Sequence, residues 1–283
     1  MNINLCLLNK KNFYLILLIL IFANPYSLKA QKFTPNSEFG IMSGASYYLG
    51  DLNSNHFKHS KLFAGIALRK NIDRRFVYKA EILLGNLYGD DRENKNSVIA
   101  QDRSLHFKSQ IQELSGQIEF NFLPYETGNS LFSWTPFVFT GVSLFRFNPK
   151  AESKYGEWVN LQELGTEGQG SPAFPDRKKY SLIQFSIPMG VGFKLGINKS
   201  FNIILQYGAR KTFTDYIDDV SMTYPGSAVL FPEGGNLAVE MSDPTGTHLI
   251  GQERGNSENN DWYSFFGITL SFKLPQGTQG CDY

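Results

Sequence analysis

Cysteine is nearly missing from this 283-residue chain, which holds only Cys6 and Cys281. Cys6 falls inside an expected export leader, so Cys281 stands alone and a disulfide framework within the mature chain is excluded. No cysteine immediately follows the expected cleavage point, which argues against a lipid-anchored lipoprotein. Histidine is sparse too: His56, His59, His106 and His248 are the four. None has a Ser or Asp partner at a readable triad spacing, so hydrolase and acyltransferase chemistry find no support. The pair His56 and His59 lacks the carboxylate or cysteine company of a metal site. No catalytic residue, cofactor or metal is therefore expected. An excess of either charge is absent as well. Removing Lys10, Lys11 and Lys29 from the 27 basic residues leaves 24 against 26 acidic ones, and that balance gives no reason to expect nucleic acid or a strongly charged substrate.

Long hydrophobic runs are missing after the leader. Residues 1–30 read as a signal peptide: Lys10 and Lys11 precede an apolar run at residues 13–23, and Pro25 and the small Ala30 mark the cleavage region. That run of about 11 residues is short for a spanning helix, which needs about 20. Residues 31–37 read as a periplasmic leader.

Glycine and aromatics are plentiful, with 26 Gly, 24 Phe and 14 Tyr. Aromatic girdles and small lumen residues of a membrane barrel would use them in this way. The organising stretch is residues 181–197, SLIQFSIPMGVGFKLGI. Ile183, Phe185, Ile187, Met189, Val191, Phe193, Leu195 and Ile197 alternate with Gln184, Ser186, Pro188, Gly190, Gly192, Lys194 and Gly196. Period two means a strand with one apolar and one polar or small face. At about 17 residues it exceeds the roughly 9 to 11 that a tilted membrane strand requires.

Similar alternation marks residues 38–50, 61–70, 77–89, 113–122, 135–147, 201–214 and 262–274. Two irregularities are expected. Residues 107–111 alternate out of phase with 113–122, which predicts a bulge near Gln112. Pro188 lacks a ladder donor, which predicts a bulge or a locally broken ladder. In residues 135–147, Phe137, Phe139 and Phe145 oppose Val138, Val142 and Leu144, and either face could point inward.

Eight strands result. Connections after the second, fourth and sixth are about 6, 12 and 3 residues, and those after the first, third, fifth and seventh about 10, 15, 33 and 47, as in barrels with short periplasmic turns and long external loops. The expectation is an all-β, eight-stranded antiparallel transmembrane barrel of the outer membrane over residues 38–274, in contact with its lipids, with a periplasmic tail at 275–283.

An eight-stranded barrel is filled by side chains. Arg69, Lys79, Lys194, Arg210 and Lys273 should pair with Glu81, Glu113 and Glu119 in the lumen, because unpaired buried charges are costly. The last long loop carries TFTDYIDDVSMTY and RGNSENNDWY. Asp215, Asp218 and Asp219 there could take Arg254 or a cation. Together with Tyr216, Asn256, Asp261, Trp262 and Tyr263 they form a candidate loop latch or partner contact.

These runs, the PxGxGxKxG pattern from Pro188 to Gly196 and the ending DWYSFFGITLSFKL resemble the PorG-like, DUF6089-type family of Bacteroidetes outer-membrane barrels. The likeness covers residues 38–274. It implies a non-enzymatic anchor or accessory of type IX protein secretion and gliding, in contact with a periplasmic ring lipoprotein of that machinery. It supplies no catalytic residue. The alternative is a surface adhesin or ligand-binding barrel using residues 148–180 and 215–261.

Overall fold

The computed structural model describes residues 33–95 and 97–275, and the fold is that of the unit beginning at Pro35. The expected signal peptide, the start of the leader and the tail with Cys281 lie outside the described residues.

Ten strands form: β1 Asn36–Leu49, β2 Lys61–Asn71, β3 Phe76–Asp90, β4 His106–Asn121, β5 Trp134–Arg146, β6 Pro149–Glu152, β7 Trp158–Asn160, β8 Ile183–Gly196, β9 Phe201–Thr212 and β10 Trp262–Lys273. Eight of them close a ring, each antiparallel to its neighbours: β1 pairs with β2 and β10, β3 with β2 and β4, β5 with β4 and β8, and β9 with β8 and β10. Closure removes every edge, which is what lets a sheet cross a bilayer. Among the described residues no helix is long and apolar enough to do so.

Side-chain alternation decides the two faces. On β3, Tyr78, Ile82 and Leu84 are exposed while Val77, Lys79, Glu81 and Leu83 are buried. On β8, Phe185, Val191 and Phe193 face out and Ser186, Pro188 and Lys194 face in. The outside of the barrel is thus an apolar band, as a strand with hydrocarbon on one side demands. β5 is settled in the same way: Phe137, Phe139 and Phe145 are buried in the lumen, and Val142 and Leu144 are exposed.

No bulge forms near Gln112. The β3–β4 ladder runs without interruption from Phe76↔Phe120 to Asp90↔His106. Phe107, Ser109 and Ile111 simply continue the inward phase of Glu113 and Ser115. The phase shift in the sequence is a change of environment: the external half of the lumen is apolar, and Lys108, Gln110 and Gln112 face outward there. Pro188 does break its ladder. Pairing of β5 with β8 stops after Thr140↔Met189 and resumes at Ser143↔Ser186 in unchanged register, while pairing with β9 continues through Pro188↔Arg210, so one ladder is broken without a bulge.

The short connections, residues 72–75, 122–133 and 197–200, share one end, and the long ones share the other. At the long-loop end the connections build a cap. It contains the β6–β7 hairpin and a helical segment, Ser227–Ser242, kinked at Gly235, neither of which alternation in the sequence revealed.

Candidate functional site

Inward-facing residues divide the lumen into layers. At the external end Leu83, Leu87, Phe107, Ile111, Phe145 and Phe265 form an apolar cluster. Below it lies an ionic layer. Lys79 Nζ is 2.8 Å from Glu81, and Arg210 bridges Glu81 at 3.3 Å and Glu113 at 3.1 Å. Glu119 gathers Arg69 at 3.3 Å, Lys79 at 3.6 Å and Lys194 at 2.6 Å. All of these side chains are buried. Gln206 approaches Arg69 and Lys79 at 3.5 Å, and Tyr263 donates to Glu113 at 2.9 Å.

Glu38, on the inward face of β1, completes the set, and nothing local in the sequence singles it out. Its carboxylate accepts from Asn71 at 2.8 Å, Thr127 at 2.6 Å, Asn202 at 3.2 Å and Ser271 at 2.8 Å. With Glu38 included, Arg69, Lys79, Lys194 and Arg210 are matched one for one by Glu38, Glu81, Glu113 and Glu119. Lys273 does not join them. It is half-buried at the periplasmic rim, where β10 ends, and among the described residues no ion pair holds it.

The cap is built around a second set of charges. Arg254 is buried, 3.1 Å from Glu167 and 3.7 Å from Asp219, and donates to the carbonyls of Asp219 and Ser242. Glu167 also accepts from the backbone amides of Ser221 and Met222. Asp219, held at a left-handed φ of 68°, accepts from Thr166 at 2.5 Å and Tyr180 at 2.7 Å. Burial lifts its carboxyl to about 6 despite the opposing pull of Arg254. Arg103 forks onto Asp91 at 2.6 and 3.0 Å and donates to the carbonyls of Arg254 and Asp51. These two guanidiniums tie all four long connections together, with five donors each to share.

Tyr48 at the top of β1 lies 2.5 Å from Asp218 and 2.9 Å from Asp261. A phenol has one proton to donate, so one of the two carboxyls must itself carry a proton to complete the pair. Burial, then the Asp51 charge, raises Asp218 well above the ordinary carboxylate range, and burial with Asp218 does the same to Asp261. Asp215, close by, is pushed up to about 8 by burial.

Of the expected latch, Asp218, Asp219, Arg254 and Asp261 come together, Asp215 borders them, and Tyr216 stacks on Tyr180 at 4.7 Å between ring centroids. Three residues fall elsewhere. Asn256 is exposed; its backbone amide donates to Asp51 and its Oδ1 accepts from the Glu258 amide. Trp262 stands half-buried at the start of β10, and Tyr263 points into the lumen, because adjacent strand residues take opposite faces. Arg254 occupies the place the sequence left open to a cation. Among the described residues no group of three or more His, Cys, Asp or Glu is arranged to hold a metal. The histidines are dispersed: His56 meets Tyr47, His59 meets Glu93, His106 accepts from the Glu152 amide, and His248 lies against Asp243 and Asp102. Tyr48, Asp51, Asp91, Arg103, Thr166, Glu167 and Tyr180 went unnoticed in the sequence, since nothing local marks them as neighbours of residues 215–261.

Fold and lumen define a small antiparallel outer-membrane β-barrel with a packed interior. The chain belongs to the family described as a domain of unknown function, DUF6089, which matches residues 10–165. Similar solved structures include Ail, the attachment invasion locus protein of Yersinia pestis, in complex with the heparin analogue sucrose octasulfate, at 8% identity, 86% of this chain, 100% of that chain and a TM-score of 0.42. Neisserial surface protein A aligns at 7% identity over 86% of this chain and 100% of its own, with a TM-score of 0.43. Outer membrane protein OprG from Pseudomonas aeruginosa aligns at 10% identity over 86% and 95%, with a TM-score of 0.35. No curated protein matches.

Proposed function

We propose that this protein resides in the outer membrane as a non-enzymatic anchor, and that it serves as an accessory of type IX protein secretion and gliding. The observation that carries the anchor reading is the filled lumen. Buried ion pairs and packed rings occupy the interior, which suits a barrel that contributes surfaces rather than transport. The secretion role draws on the likeness of the β8 and β10 sequences to the PorG-like family. The partner on that reading is a periplasmic ring lipoprotein, which would meet the short turns at residues 72–75, 122–133 and 197–200.

Deleting the gene should abolish cargo secretion and surface motility, and affinity purification from solubilised outer membranes should bring down the periplasmic ring. Normal secretion and motility in the deletion strain would rule the role out. A second reading, a surface adhesin or ligand-binding barrel, is favoured by the order of the cap, which Arg103 and Arg254 clamp into one body. Removing residues 215–261 would then abolish surface binding and leave secretion intact.

A further inference from the structure

The outward wall of the barrel carries a recess at its external end, about 670 Å³ in volume, lined by parts of β2, β3, β4, β5 and the β6–β7 hairpin. Four of its lining residues are cations, Lys61, Lys108, Arg146 and Lys150, and no carboxylate lines it. That is unlike the lumen and the cap, where every cluster of cations has acids beside it. Strand pairing sets Lys108 opposite Lys150 and Tyr88, and Arg146 opposite Gln112. Lys108 Nζ lies 3.4 Å from the centroid of the Trp158 ring, and Lys61 Nζ 4.5 Å from that of Tyr88. Ring faces attract an ammonium without neutralising it, so the positive charge of both lysines stays available.

Position decides what this charge is for. On the same wall Leu62, Leu84, Leu114 and Leu144 are exposed, at the upper edge of the apolar band. Followed away from the membrane centre, the outward residues run Leu84, Asn86, Tyr88 on β3, Leu114, Gln112, Gln110, Lys108 on β4, and Leu144, Arg146 on β5. An apolar wall that gives way to amides and then to a tyrosine and cations follows the order of a membrane's hydrocarbon, interface and headgroup layers. Because the long loops lie at this end, the leaflet concerned is the outer one.

We propose that this recess binds the phosphate-bearing sugar headgroup of an anionic glycolipid in the outer leaflet, with its acyl chains along the leucines below. The cations are spread over neighbouring strands, so they suit a headgroup with more than one phosphate. A guanidinium adds a bidentate contact that an ammonium cannot. Exposed leucines lie beside the recess on the same strands, a surface that a lipid can use and a free anion cannot. The proposal rests on the membrane-barrel reading and is independent of the secretion role.

The test uses the full-length protein purified in detergent, its folded barrel followed by heat-modifiable gel migration. Micelles are doped with diphosphorylated lipid A or with its dephosphorylated form, and retained lipid is read by native mass spectrometry. The wild type should keep the phosphorylated lipid and discard the other. The pair Lys108→Gln and Arg146→Gln should weaken retention by about tenfold or more, since each basic side chain near an anionic surface is a substantial share of the attraction. Lys150→Gln, in the hairpin outside the barrel ring, should weaken it in a variant that leaves the ring's strands untouched. Lys211→Gln on β9, exposed on the wall three strands from β4, should retain it as the wild type does.

Equal retention of both lipids, or unchanged retention in the double variant, would overturn the proposal. So would displacement of the lipid by millimolar inorganic phosphate, which would make the recess a site for the free anion. A wild-type protein that remained soluble without detergent would instead overturn the membrane reading itself.

Discussion

Arg254 is the side chain on which the cap's charge balance turns, since among the described residues it is the cation that pairs with Glu167 and Asp219. Arg254→Leu would leave two carboxylates buried and unmatched, a loss of about 3–5 kcal/mol by analogy with broken buried pairs. The expected outcome is rapid proteolysis within residues 213–261 while the barrel itself stays heat-modifiable. The neighbouring acids predict an unusual pH response. Asp215 is raised to about 8 by burial, and Asp218 and Asp261 are raised well above the ordinary range. A carboxyl raised on folding binds its proton more tightly in the folded state, so its contribution is complete below the unfolded value near 4 and declines as pH climbs through the folded value. The cap should therefore be tighter at pH 5 than at pH 9, opposite to the usual behaviour of salt-bridged acids. Hydrogen exchange of residues 213–261 measured across that window checks it, and Asp215→Asn should flatten the curve.

At the scale of the strands, the glycines of β8 explain a pairing that no single strand discloses. A Cβ on Gly190 would come within 2.1 Å of the Tyr207 carbonyl and 2.6 Å of the Phe139 ring, and one on Gly192 would meet Phe137 at 2.5 Å. Phe137 and Phe139 lie across the glycines, large against small, which is how a narrow lumen accommodates rings. Gly190→Val is accordingly expected to abolish the folded gel form, whereas Gly116→Ala, with nothing within 4 Å of its Cβ, should leave it unchanged. The same contrast shows what was legible beforehand. Alternation located all eight barrel strands and put the apolar face of β8 outside, because period two is a local property of the chain. The facing of β5 could not be read, since both of its faces are apolar and only the partner strand's glycines break the tie. The phase of residues 107–111 misled for a related reason: alternation reports contrast between faces, and where lumen and exterior exchange polarity the contrast inverts with no change in the backbone. The cap's contacts join separate connections of the chain, some of them as far apart as Tyr48 and Asp261, and no spacing rule reaches that far.

For the molecule as a whole, the lumen charges close on themselves, and this decides between a conduit and a sealed post. Glu119 is shared by Arg69, Lys79 and Lys194, and Glu38 is satisfied by four neutral donors at the periplasmic end. An ion entering from either side would have to part these buried contacts, at the cost of leaving charges unpaired. The purified protein in a planar bilayer is therefore expected to show no steady conductance, and regular single-channel steps from the wild type would contradict the sealed interior. Glu119→Ala sharpens the test. It leaves three cations facing one another, with about 3–5 kcal/mol lost as the pairs break. The midpoint of the heat-modifiable transition should fall markedly, and any conductance that appears in this variant should favour anions, because the side chains left exposed to the new path are positive.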